Sequence, residues 1–169
     1  MLCVETLVAE GEWDPDIGWS SLSERACSVA LSLTPFAALA QREGVIEVSV
    51  RFSSDADVRQ LNAAYRNKDK ATNVLSFPMH NAEDLPGLGS EGEIEILLGD
   101  IVLADGIVRA EAAAKRISSA DHACHLVVHG MLHLLGYDHG NDQDAERMEA
   151  IEQAAMAALG LADPYLDAA

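Results

Sequence analysis

The chain has 169 residues, 49% of them hydrophobic, and a formal net charge of −17. This length and composition predict one compact domain over residues 1–169 and exclude a chain that is disordered as a whole. Its acidic first residues lack the basic start of a signal peptide, and no run of about 18 uncharged apolar residues is present, so we expect a cytoplasmic protein with no membrane partner.

The first third of the chain is predicted to hold two strands and one helix. Residues 2–9 form the first strand, and an acidic segment with proline and glycine at about 9–18 connects it to the helix. Apolar residues at helical spacing predict that helix over 20–40, with Pro35 kinking or dividing it. Strict alternation over 45–52 predicts the second strand.

The middle of the chain is predicted to hold a helix, a strand and a long loop. Either Ser53 or Ser54 is placed to cap a helix over 57–66. A strand follows at 73–79, and its proline indicates an edge position or a strand end. Residues 81–92, which include three glycines, are expected to form the most flexible internal loop.

The last third of the chain is predicted to begin with a buried strand and to continue as helices. The strand covers 94–104, with Gly99 as a bulge. Three helices follow at about 105–116, 120–135 and 142–159. Together, these elements predict an α+β fold in which helices pack on a mixed sheet of about four strands.

One segment, residues 119–140, carries a pattern that is typical of a metal site. His129 and His133 are four residues apart in a predicted helix, so their imidazoles lie on one face, one turn apart. Gly136 then permits the left-handed backbone that reverses the chain and can bring His139 to the same ion. Three neutral imidazoles would fill three corners of a tetrahedron and leave the fourth for water. The pattern therefore predicts one Zn²⁺ per chain at the end of a helix.

The spacing HxxxHxxGxxH is also the ligand spacing of the metzincin metalloproteases. Those enzymes carry a glutamate directly after the first histidine, and this glutamate is their general base. In this chain, that position is Gly130. The predicted metal geometry is thus kept while the proteolytic base is missing, and a peptidase would need an atypical base.

Other residues near the motif have an open interpretation. His122 and His125 lie on the same helical stripe as the metal-binding pair, so they could orient a ligand, contact substrate or be buried, hydrogen-bonded histidines. Asp138 could orient the imidazole of His139 or be solvated. His80, which stands alone after a strand, is expected on the surface.

The net charge argues against a nucleic-acid partner, because phosphate binding depends on Lys and Arg. The basic residues are nevertheless concentrated in the middle of the sequence, and most of them lie between Arg51 and Arg116. Arg66, Lys68 and Lys70 fall within five residues at a helix-to-strand connection. Such a cluster could clamp a phosphate, or it could be simply solvated.

Two segments resemble the bacterial YbeY family of ribosomal-RNA maturation endoribonucleases. Residues 129–139 are HGMLHLLGYDH, which matches the family signature HGxLHLxGYDH throughout. Residues 61–78 are LNAAYRNKDKATNVLSFP, which departs from LNxxYRxKDxPTxVLSFP only at Ala71. The likeness covers about residues 45–155.

This resemblance implies a zincin-like α+β fold and a zinc-dependent, single-strand-specific endoribonuclease. It implies a role in small-subunit rRNA 3′-end maturation and in ribosome quality control. The implied partners are ribosomal RNA and the ribosome or its assembly proteins. His129 would be a metal ligand and catalytic, and Arg66 would be the cation that faces the site.

A mechanism consistent with both lines of reasoning uses zinc to activate water and to polarise a phosphoryl oxygen. Arg66 would neutralise charge that develops on the phosphorus, and Lys68 and Lys70 would hold flanking phosphates. The nucleophile could be a zinc-bound hydroxide or the 2′-hydroxyl of the RNA. Two alternatives remain, a non-catalytic ribosome-assembly factor with a structural metal and an atypical metallopeptidase.

Overall fold

The computed structural model describes residues 1–166, which contain four strands and five α-helices. The strands are β1 (Leu2–Val8), β2 (Val45–Ser53), β3 (Val74–Pro78) and β4 (Glu95–Ala104). The α-helices are α1 (Trp19–Ser32), α2 (Asp55–Arg66), α3 (Asp105–Lys115), α4 (Ser119–Leu134) and α5 (Asp142–Ala158). This architecture confirms the predicted α+β class.

The strands form one mixed sheet in the order β1-β2-β4-β3. The pairs β1–β2 and β2–β4 are parallel, whereas β3 runs antiparallel to β4 and forms one edge. The register between β2 and β4 skips Leu98, directly before Gly99, which confirms a bulge at the predicted place. The predicted edge position of the proline-containing strand is also correct.

Two layers of helices cover the sheet. On one face, α1, α4 and α5 enclose the main core, which includes Phe52, Ile101 and Met131. On the other face, α2 packs over β3 and β4 around a smaller cluster that includes Val58 and Leu75, while α3 lies beside α4 and buries Val108 in the main core. Helix α4 is the central element, because 11 of its 16 residues are buried. Side chains on α4 are therefore held in place by packing on several sides.

Side-chain caps define where several helices begin. Ser54, rather than Ser53, caps α2 by accepting a hydrogen bond from the backbone N–H of Asp57 at 3.1 Å. Ser118 caps α4 in the same way, through the N–H of Asp121 at 3.0 Å. The start of α4 is thus fixed by local chemistry that the sequence alone can show.

The first helix is shorter than predicted. The pattern favoured a helix over 20–40, but α1 ends at Ser32 and a short 3₁₀ turn follows at Ala37–Gln41. Pro35 explains the difference, because proline lacks a backbone N–H and disfavours helical geometry in the residue before it. Of the two predicted outcomes, the structure shows division rather than a kink, because the α-helix ends before the proline and only the 3₁₀ turn follows it.

The two predicted connections contain buried anchors. In the acidic segment at about 9–18, Trp13 is buried and its Nε1–H donates to the carbonyl of Ser53 at 3.0 Å. In the 81–92 loop, Leu85 is buried in the main core. Across residues 1–166, no helix is both long enough and apolar enough to span a membrane.

Candidate metal centre

Three histidines converge where α4 ends. His129 and His133 lie on consecutive turns of α4, and Gly136 with φ +88° reverses the chain so that His139 returns to them. One ligand nitrogen from each histidine lies within 4.8 Å of the other two. The ring centroids are 4.6 Å apart for His129 and His133, and 5.2 Å apart for His133 and His139. This cluster could hold a metal ion, as its sequence spacing predicted.

Hydrogen bonds determine which nitrogen of each α4 imidazole faces the centre. The Nδ1–H of His129 donates to the carboxylate of Glu152, and the Nδ1–H of His133 donates to the carbonyl of Tyr137 at 2.9 Å. Since a carbonyl and a carboxylate only accept, each Nδ1 carries a proton, and in the neutral ring the Nε2 atom then carries the lone pair.

The two lone pairs face each other, because the Nε2 atoms of His129 and His133 lie 3.0 Å apart. When both rings are neutral, no proton bridges these two atoms, and a shared cation is the partner that would satisfy both. Neutral imidazole suits Zn²⁺, copper, iron and nickel. The donor set and its orientation therefore fit a transition-metal ion, and zinc is among the ions that fit.

Burial keeps His133 in the form that binds metals. Desolvation, reinforced by the neighbouring His129, lowers the pKa of His133 to about 4. The ring is therefore neutral at physiological pH, and a metal ion would not have to displace a proton from it.

Glu152 on α5 lies beneath the three histidines and was not predicted from the sequence. Its side chain is 0% exposed, and its carboxylate accepts from His129 and from the hydroxyl of Tyr165, while Nε2 of His125 lies 3.4 Å from it. Burial alone would raise the pKa of Glu152, but the nearby His125 ring and the hydrogen bonds from His129 and Tyr165 lower it to about 2. The group is thus a buried carboxylate. The sequence signal that could have identified Glu152 is its position, as a glutamate, on the apolar face of α5.

The histidines form one wall of a groove of about 610 Å³. The predicted cations Arg66, Lys68 and Lys70 also line this groove. The structure therefore brings together two motifs that are separated by about 60 residues in the sequence. We use "the groove" for this cavity and "the cationic loop" for residues 66–70.

The cationic loop is held by Asn62, a second residue that sequence reasoning missed. Asn62 is buried on α2, and its side-chain amide donates to the carbonyl of Lys70 at 2.9 Å. The backbone carbonyl of Asn62 accepts from the backbone N–H of Lys68 at 3.2 Å. Asn67 ends α2 in the left-handed conformation, with φ 56°. These contacts fold the loop back along the groove.

Arg66 connects α2 to the edge strand. Its guanidinium donates to the carbonyl of Ser76 and lies 5.6 Å from the ring centroid of Phe77. The cation is therefore anchored by a hydrogen bond and by an aromatic face while it lines the groove. This placement fits the predicted role of a cation that faces the metal centre.

Two predicted site residues lie outside the groove. His125 is only 6% exposed and packs beneath His129 against Glu152, so it cannot contact a substrate in the groove, which corrects that prediction. His122 is 2% exposed and pairs with Glu111 at 2.8 Å, away from the three site histidines. Because α4 is buried on several sides, part of its histidine stripe faces the protein interior.

Two further residues differ in detail from the expectation. The carboxylate of Asp138 accepts from the backbone N–H of His139 at 2.8 Å, so it orients the backbone rather than the imidazole. His80 lies at the surface as expected, but it also lines the groove, which the sequence did not indicate, and its Nε2 lies 2.9 Å from the carbonyl of Leu97.

Comparisons with known proteins relate the chain to one family. A family model described as Endoribonuclease YbeY matches residues 19–160. An Endoribonuclease YbeY of Rhizorhabdus wittichii is 48% identical over 157 residues and 93% of each chain, and one of Sphingopyxis alaskensis is 48% identical over 167 residues and 99% of each chain. The solution structure of TM1509 from Thermotoga maritima shares the fold, with a TM-score of 0.54 and 21% identity over 97% of this chain and 99% of that one.

Proposed function

The chain belongs to the YbeY family of endoribonucleases, and we propose that it cuts single-stranded ribosomal RNA at a zinc ion held by His129, His133 and His139. The family makes it a hydrolase that acts on RNA. We further propose that it acts in the cytoplasm on the 3′ end of small-subunit rRNA, together with the ribosome or its assembly proteins, and that it contributes to ribosome quality control.

The observation that carries this proposal is the shared groove. It joins the imidazole cluster to Arg66, Lys68 and Lys70. An RNA strand offers a phosphate at every nucleotide, so one phosphate can lie at the imidazole cluster while its neighbours contact the lysines. The net charge of −17 disfavours phosphate binding in general, so RNA binding would depend on this local cluster of three cations.

The chain's own residues have distinct parts in this proposal. When bound, a zinc ion supplies Lewis-acid chemistry, polarising a phosphoryl oxygen and activating water. Arg66 would stabilise the negative charge that develops on the phosphoryl group, since its guanidinium is held at the wall of the groove. Lys68 and Lys70 would bind the flanking phosphates and hold the strand in register.

The non-catalytic alternative is disfavoured by the ligand set. Among the described residues, the metal-binding cluster contains three histidines and no fourth protein ligand. Structural zinc sites are usually closed by four protein ligands, whereas catalytic sites keep one position open. An open position supports an enzyme over an assembly factor with a structural metal.

The peptidase alternative is disfavoured by the edge strand. Peptides commonly bind by adding a strand to a free sheet edge. In β3, the carbonyl of Ser76 points away from β4 but accepts from Arg66, and Pro78 has no N–H to offer. The N–H of Val74 is bonded to the side chain of Asn73 at 2.7 Å. The edge beside the metal centre is thus largely blocked.

The test is RNA cleavage by zinc-loaded protein with and without a chelator. We expect cutting of single-stranded RNA, no cutting of duplex RNA, and loss of activity with chelator that returns when zinc is added. RNA binding without cutting would support the assembly factor instead. Hydrolysis of peptides by the same preparation would support the peptidase.

An Arg66→Ala variant tests the role of the cation. Removing one group that stabilises the transition state should lower the cleavage rate by about 100-fold while zinc content stays unchanged. Arg25→Ala is the matched control, because Arg25 is exposed on α1 and does not line the groove. Equal cleavage by Arg66→Ala and the control would remove Arg66 from the mechanism.

A further inference from the structure

We infer that Glu152 is the positioning residue of the metal centre and that Tyr165 holds it in place. This inference rests on the proposed metal site. It concerns how the chain prepares the Nε2 atom of His129 for an ion, and it assigns a role to the segment that follows α5.

Both oxygens of Glu152 are engaged. Oε1 accepts from the Nδ1–H of His129, and Oε2 accepts from the hydroxyl of Tyr165. His125 approaches Oε1 from the other side, with its Nε2 at 3.4 Å. A carboxylate with partners on both oxygens has one orientation, so it fixes the rotation of the His129 ring.

The contact with His129 has a chemical consequence. Because Glu152 only accepts at this position, the proton of His129 stays on Nδ1 and the lone pair of Nε2 points to His133. Carboxylates that accept from metal-binding histidines also raise the basicity of the ring. Glu152 thus selects both the tautomer and the direction of the ligand.

Glu152 is neither a metal ligand nor a general base. It contacts Nδ1 of His129, which is the opposite side of the ring from the Nε2 that faces the centre. Its side chain is 0% exposed and it is absent from the lining of the groove, so it cannot touch a substrate. It acts through His129.

The three candidate ligands are supported unequally. His129 is held by a buried carboxylate, and His133 is held by the neutral carbonyl of Tyr137. Within residues 1–166, the imidazole of His139 makes no hydrogen bond, and only its backbone N–H is held, by Asp138. His129 is therefore the best-oriented ligand, and it anchors the site.

The segment after α5 supplies the hydroxyl that holds Glu152. Asp163 accepts from the N–H of Tyr165 at 2.9 Å and from the side-chain amide of Gln153 on α5 at 3.2 Å. The Tyr165 ring also contacts His125, with centroids 5.7 Å apart. The family match ends at residue 160, so this support comes from outside the matched region.

The experiment measures zinc affinity of the full chain by competition with a chromophoric chelator. Glu152→Gln should weaken zinc binding by about 10–100-fold, because partners of this kind typically have that effect on metal affinity. Tyr165→Phe should also weaken zinc binding, but by a smaller factor. Glu149→Gln is the matched control, since Glu149 is exposed on the same helix, and its zinc affinity should equal that of the wild type.

Thermal unfolding of the metal-free proteins separates positioning from a merely structural role. A Glu152→Gln protein that is less stable without metal but binds zinc with wild-type affinity when folded would overturn the inference. If Glu152→Gln fails to fold, the test uses Tyr165→Phe instead. An unchanged zinc affinity in Tyr165→Phe would then overturn the inference.

A second readout follows the His129 tautomer directly. In the metal-free wild type, ¹⁵N NMR of the imidazoles should show His129 protonated at Nδ1, and Glu152→Gln should reduce that preference. If the wild type binds zinc and cuts RNA, but neither Glu152→Gln nor Tyr165→Phe changes the zinc affinity, this inference alone is refuted. A wild-type protein that binds no zinc would refute the proposed function as well.

Discussion

Gly130 on α4 lies so close to Ile101 on β4 that a Cβ added to the glycine would be 2.8 Å from Cγ2 of Ile101. The same Cβ would be 3.2 Å from the hydroxyl of Ser76 on β3. Gly130 occupies the position at which metzincin peptidases carry their catalytic glutamate. In this fold, the helix is pressed against the sheet there, so the site lacks both that base and the space for it.

The first prediction concerns this contact. Gly130→Ala should destabilise the protein by about 1 kcal/mol or more, because the cost of overpacking a buried core exceeds the gain in helix propensity. Urea denaturation measures the change. Gly87→Ala is the control, because a Cβ there meets no atom within 4 Å. Equal stability of the two variants would show that α4 is not closely packed at Gly130.

The second prediction concerns the turn that returns His139. Gly136 has φ +88°, and a Cβ there would lie 3.0 Å from both Ala82 Cβ and Leu85 Cδ1. Gly136→Ala should cost about 1–2 kcal/mol through backbone strain alone, and it should weaken metal binding by displacing His139. Thermal unfolding and metal content measure the two effects.

The control for this turn is Gly140→Ala. Gly140 has no left-handed backbone, and the nearest atom to an added Cβ is an Asp138 oxygen at 3.8 Å. We expect wild-type stability and metal content. If Gly136→Ala behaves like this control, the geometry of the turn does not set the position of His139.

The third prediction concerns thiol reactivity. Burial raises the pKa of Cys27, and burial raises the pKa of Cys124 to about 11. At pH 8, both groups are protonated thiols, which react slowly, whereas Cys3 is partly exposed. A disulfide reagent should therefore modify only Cys3 in the native protein and all three cysteines after denaturation. Rapid native labelling of Cys27 or Cys124 would contradict the described core.

Most of the fold could be predicted because its signals are local. The alternation over 45–52 and the serine cap before α2 depend on neighbouring residues only, and both predictions are confirmed. The metal-binding pattern is local as well, since His129 and His139 are ten residues apart and a glycine turn joins them. Periodicity, caps and turn chemistry are sufficient for features of this kind.

The rest depends on contacts between distant segments. Glu152 lies 23 residues after His129, and no spacing rule links a buried glutamate on α5 to an imidazole on α4. His125 shows the converse limit, because the stripe on α4 was identified but the sequence could not show which part faces the groove. Tertiary packing decides both, and it also decides that Gly130 must remain without a side chain.

The most direct test of the central claim is the metal content of the purified full chain, measured by elemental analysis for the wild type and for His133→Ala. The wild type should contain one zinc ion per chain, and His133→Ala, still folded by circular dichroism, should lose the zinc and the chelator-sensitive RNA cleavage together. A folded His133→Ala protein that keeps stoichiometric zinc, or that cuts RNA at the wild-type rate, would contradict a metal centre built on these three imidazoles.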